Sequence, residues 1–118
     1  MSFASRHNKG NKFTVNTEGY QFVRMADLYQ QDPQAVHQVA ALYINTKGKF
    51  DDHPVAVLPQ KRALVDLPAH MTEEVRAILE NAEDCADIEA GKVGLQFETY
   101  ISRTYNREAI GCRWVDLA

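Results

Sequence analysis

The sequence predicts an α+β domain, and three observations carry the prediction. Apolar and polar residues alternate over 39–50 and 92–101, the period of strands, and short apolar runs at 55–58, 63–67 and 110–117 are bounded by turn formers as further strands. The stretch 72–90 instead repeats its apolar residues at helical spacing. Clusters of turn formers at 51–54, 59–62 and 102–108 punctuate the strands. The order is three strands, a helix, then two strands. It fits a small antiparallel sheet with one main helix packed across it, and equally an OB-like five-stranded barrel with that helix between strands three and four.

Each element has its own local reason. Residues 1–12 are polar, with Arg6, Lys9, Lys12 and Gly10, and read as a flexible arm ahead of a single domain over 13–118. Residues 13–15 are expected as a short strand. Residues 20–28 mix periods and are expected as a strand, or a strand running into a helical turn. Asp32-Pro33 could start a helix, but the strand signal that follows favours a turn. In VAALYINTKGKF (39–50), Leu42, Ile44 and Phe50 fall on one face, and Tyr43, Asn45, Lys47 and Lys49 on the other.

Thr72 is placed to cap the helix, with Glu73 and Glu74 against the positive end of its dipole. Val75, Ile78, Leu79 and Ala82 then form one apolar stripe. A second helical turn over 84–90 points Cys85 and Ile88 inward, and Gly91 is placed as its C′ residue. In the last hairpin, Val93, Leu95, Phe97, Thr99 and Ile101 share a face. The phase of the return strand is open: either Ile110, Cys112 and Trp114 or Val115 and Leu117 face the core.

The chain of 118 residues is long enough for one hydrophobic core. Its longest apolar runs fall far below the ~20 residues of a membrane span. The N-terminus lacks the apolar centre of a signal peptide, and a cytoplasmic location is expected. Two cysteines, Cys85 and Cys112, form no CxxC pair, which argues for reduced thiols rather than a disulfide framework or a zinc site. The net charge is −3 but segregated. Residues 72–90 hold seven acids against Arg76 alone, and the remainder is mildly basic.

No phosphate-binding, nucleophile-elbow or zinc-protease motif occurs, and the four histidines are scattered. The densest group of metal-ligating types is Asp51-Asp52-His53, read as a plain turn because three neighbours cannot all aim at one ion. A binding module is therefore expected rather than an enzyme, with no cofactor. Tyr43, Lys47 and Lys49 on one strand, and Tyr100, Arg103, Tyr105 and Arg107 around the last hairpin, interleave cations with flat rings. Single-stranded nucleic acid uses that mixture, cations for phosphates and rings for bases. The alternative is a protein-binding adaptor or inhibitor that offers Glu73, Glu74, Glu80, Glu83 and Asp84 to a basic host protein.

Four stretches, ALYINTKGKF (41–50), DHPVAVL (52–58), LVDLPAHMTEEV (64–75) and AGKVGLQFETY (90–100), together resemble small uncharacterised proteins carried by phages and mobile elements of Gram-positive bacteria. The resemblance implies a setting in DNA metabolism or in inhibition of host machinery. It assigns no site residue.

Overall fold

Along the chain, the computed structural model describes residues 13–46, 52–103 and 106–117. The elements are β1 (Gln21–Phe22), α1 (Met25–Gln31), β2 (Val36–Gln38), β3 (Ala41–Asn45), β4 (His53–Leu58), β5 (Ala63–Asp66), α2 (Thr72–Glu80), α3 (Ala82–Glu89), β6 (Val93–Ser102) and β7 (Arg107–Asp116). Short 3-10 turns, Pro59–Lys61 and Ala69–Met71, lead into β5 and α2. The α+β class is as expected.

The strands form two sheets, ordered β1-β5-β4-β3 and β2-β6-β7. Within the expected long strand over 39–50, Ala41–Asn45 is observed as β3 and residues 47–50 lie outside the described residues; the extended run begins earlier, at β2. Residues 36–45 pass from one sheet into the other. The Val39 amide donates to the Val93 carbonyl (2.9 Å), continuing the β2–β6 ladder, and the next amide, Ala40, donates to Val57 (2.9 Å), continuing β3–β4. Successive strand amides point to opposite edges, so one uninterrupted run can serve two neighbours. Laid out through this run, the strands order as β1, β5, β4, the shared run, β6, β7. Closing them into a barrel requires a ladder between the two outer edges. Among the described residues no such ladder exists: β1 covers the free edge of β5 in parallel (Gln21 opposite Ala63), and β7 pairs with β6 alone.

Strand β4 (HPVAVL) is buried from Pro54 to Leu58, so both faces of its sheet are covered. An alternating strand with one wet face would leave every second residue exposed. Leu42, Ala56 and Val65 lie on one face, and Ala41, Val55 and Val57 on the other, all at most 6% exposed. Ala41, Leu42, Ala56, Val57 and Val65 join Leu95 and Phe97 of β6, Val75 of α2, Ile88 of α3 and Leu28 of α1 in one apolar cluster.

The register of β6 and β7 settles the phase of the last strand. Leu95 faces Trp114, Phe97 faces Cys112 and Thr99 faces Ile110. Opposite residues of an antiparallel pair share a face, so Ile110, Cys112 and Trp114 take the core side.

Other local expectations are corrected. Phe13 is buried against the core, and residues 13–15 form no strand. His53 and Pro54 belong to β4 rather than to the preceding turn. Thr72 is the first residue of α2, not its cap. Its hydroxyl donates to the Ala69 carbonyl (2.7 Å), tying the helix to the 3-10 turn before it. Asn81 is the capping residue instead. Its extended backbone ends α2, and its side chain accepts from the Asp84 amide (3.0 Å) to start α3. Ala82 follows that break and is exposed, so the stripe ends at Leu79. Gly91 stands after α3 with φ +78°, the left-handed conformation that a helix C′ position favours. Residues 1–12, Asp51, Lys47, Lys49 and Tyr105 lie outside the described residues.

Candidate nucleic-acid interface

The hairpin β6–β7 is the element that offers a surface. Each strand has ten residues, about 33 Å at ~3.3 Å per residue. Strand β2 covers its other edge only from Gly94 to Gln96. Beyond Phe97 the hairpin continues as a two-stranded ribbon, and its exposure rises: Tyr100 is 44% and Ile101 64% exposed.

On the ribbon face turned away from the core, Tyr100 pairs with Ala109, Ser102 with Arg107 and Gln96 with Arg113. Tyr100 therefore has Arg107 diagonally toward the tip and Gly111 diagonally toward the body. A side chain at Gly111 would begin 3.1–3.2 Å from the Tyr100 ring carbons Cε1 and Cδ1, so the bare glycine leaves room for the ring beside it. Arg113 donates to Gln96 Oε1 (2.9 Å), which anchors the second cation of this face. Arg103 is exposed at the turn. Glu98 is the acid on this face.

Of the predicted nucleic-acid residues, Tyr100, Arg103 and Arg107 are thus brought together. Tyr43 is not with them. It sits in β3 opposite Val55, half-buried against the core cluster, and does not stand on an open sheet face. Burial, helped by Asp66, pushes its hydroxyl pKa up from the usual tyrosine value. The ring works as sheet packing, because both faces of its sheet are covered.

The predicted acidic surface is divided by the break at Asn81 between two helices. Glu73 accepts from Arg76 (2.8 Å), which also reaches Asp52 (3.1 Å). Glu74 accepts from the Trp114 indole (3.1 Å), pinning α2 to β7. Glu80 and Glu83 are exposed, and Asp84 is half-buried in the first turn of α3. Outside the predicted set, Glu89 accepts from the Thr14 amide and hydroxyl.

Three features were not visible in the sequence. His53 Nε2 and Asp66 Oδ1 lie 2.9 Å apart across β4 and β5. The gap between β1 and β7 is an open groove of about 410 Å³, lined by Phe22, Val23, Met25 and Ile110, with Arg24 and Asp66 supplying its charge. Cys112 packs on Met25 (Sγ–Sδ 3.4 Å), and burial pushes its thiol up to about 12, which makes it an apolar filler rather than a nucleophile. All three depend on strand register, which alternation alone does not fix. Among the described residues, no three His, Cys, Asp or Glu side chains are grouped to hold a metal ion. No helix among them is long and apolar enough to cross a membrane.

Fold and surface together define a class: an α+β domain whose two sheets share one run of chain, with a ribbon bearing a ring and three arginines. Comparison with protein-family models, with curated proteins and with solved structures finds no match to this chain.

Proposed function

We propose that the protein is a non-enzymatic binding module of the cytoplasm, and that it holds single-stranded nucleic acid on the outer face of the β6–β7 ribbon. The observation that carries this is the exposed Tyr100 ring, beside Gly111 and flanked in register by Arg107, with Arg103 at the turn and Arg113 behind. A ring on which a base can stack contributes ~1–3 kcal/mol, and arginines supply phosphate contacts. An OB-like relationship accompanies the reading. The three-strand meander, the helical insertion and the final hairpin follow the order such a barrel uses, with its closing ladder missing among the described residues.

The test is anisotropy of a labelled single-stranded oligonucleotide of about 20 nucleotides, DNA and RNA in turn, from low to moderate salt. Tyr100→Ala is expected to weaken binding roughly 5- to 150-fold, the range that ~1–3 kcal/mol implies. Arg103→Ala and Arg107→Ala should each flatten the log-log salt slope by about 0.7, one phosphate contact on a single strand. Absence of binding at low salt would overturn the proposal.

The rival reading gives the acidic helices a basic protein partner. Glu73 and Glu74 already serve Arg76 and Trp114, which leaves Glu80 and Glu83 as its exposed core. Glu80→Lys with Glu83→Lys should leave oligonucleotide binding intact or strengthen it.

A further inference from the structure

The junction between the two sheets contains a buried histidine. His37 lies in β2, three residues long, opposite Leu95 of β6. It is 3% exposed, and its ring packs on Phe97 with centroids 5.4 Å apart. Its Nε2 atom is buried with no hydrogen-bond partner among the described residues. A buried polar atom without a partner is uncommon in a folded chain. This one stands where residues 36–45 leave the β2–β6 ladder to enter β3–β4. Between the two sheets, this run is the covalent link and β2–β6 is the ladder that attaches the ribbon to it.

We propose that His37 is an acid-sensitive latch: while its ring is neutral the β2–β6 ladder holds the ribbon to the body, and protonation of the ring releases that ladder. A neutral imidazole needs one donor and one acceptor interaction. A protonated one has two N–H donors and a charge, and the Nε2 side here offers no acceptor. Burying that cation among Leu95 and Phe97 is costly, so the ladder opens to hydrate it.

The charged groups around the ring agree. Burial is the main force holding its pKa below the ordinary 6.5. Lys61, from the 3-10 turn against β2, adds to the depression, and Asp32, at the end of α1, opposes it. Strand β6 turns the uncharged Leu95 and Phe97 toward β2. The sign follows from linkage. With the folded pKa depressed, the closed state binds fewer protons than the open one. Its full stability is present above about pH 6.5 and is lost as pH falls from there toward the lower folded value. Within that window the open fraction grows about tenfold per unit of pH.

The test is amide hydrogen exchange of Val39 and Leu95, corrected for intrinsic rates, between pH 7.5 and pH 5, in the wild-type chain and in His37→Phe. A ring titration of His37 by NMR runs alongside. The expected result is a histidine midpoint below 6.5. Val39 protection should be flat above about pH 6.5, fall with a slope approaching tenfold per pH unit below it in the wild type, and not carry that slope in the variant. His37→Leu provides the same comparison if phenylalanine does not pack. Equal pH dependence in wild type and variant, or a ring that titrates at or above 6.5, would overturn the latch.

Discussion

Asn81 shows how much one side chain decides locally. The helical stripe of Val75, Ile78 and Leu79 could have run on into residues 82–90 as one long helix. Asn81 adopts φ −100° and ψ 115° instead, and its amide oxygen takes the Asp84 N–H. Removing that cap should cost about 1 kcal/mol, the typical loss on replacing an N-cap asparagine by alanine. Gly94 is the second such residue. A Cβ there would stand 2.8 Å from Val36 Cγ1 and 3.3 Å from the His37 carbonyl oxygen, so β2 can approach β6 only over a glycine. Valine is stiff at χ1 and cannot easily swing aside. Gly94→Ala is therefore expected to destabilise by about 1–3 kcal/mol, the range for an overpacked contact, as read by urea denaturation. An unchanged midpoint would mean that the two strands have room to separate.

Among the elements, the hairpin divides into two parts with different duties. Its proximal half carries Leu95, fully buried, and Phe97 at 3% exposure. Its distal half carries Tyr100 and Ile101, both exposed. Leu95→Ala should cost ~2–5 kcal/mol, as a large-to-small change in a packed core does. Ile101→Ser should move stability by less than about 0.5 kcal/mol, because an exposed side chain loses little contact. Denaturant midpoints of the two variants check both. Comparable losses would show that the ribbon tip is part of the core.

The elements also differ in how far they could be seen in the sequence. Helix α2 and β6 were legible because each repeats one period over enough residues to declare it, and β4 because its short apolar run is bounded by turn formers on both sides. The class of fold followed from them. Helix α1 and strand β1 were half-legible, since Tyr20, Phe22, Val23, Met25 and Leu28 fit neither period throughout. Strand β2 was invisible, because the change of partner between Val39 and Ala40 leaves no mark in residue type. The burial of Tyr43 was hidden for a related reason. Its polar hydroxyl and the lysines after it imitate a wet face, while the cover on that face comes from elements distant in the chain. Tyr100, Arg103 and Arg107 lie near one another because a hairpin keeps near neighbours in sequence near in space.

For the whole molecule, the question is whether two sheets joined by one run of chain behave as one folding unit. The apolar cluster argues that they do. It takes Val57 and Val65 from one sheet, Leu95 and Phe97 from the other, and Val75, Ile88 and Leu28 from the helices. A shared core couples the elements that build it, since neither sheet can leave without exposing the other's apolar face. Trp114 is the chain's only tryptophan and a suitable reporter. It packs against the core cluster from β7, with its indole on Glu74 of α2. Tryptophan fluorescence therefore follows the contact between the second sheet and the helices, while far-ultraviolet circular dichroism averages over every element. At pH 7.5, with His37 neutral, the two thermal transitions should superimpose with one midpoint. A fluorescence transition well below the circular dichroism one would mean that the second sheet detaches by itself, and that the cluster is two cores in contact rather than one.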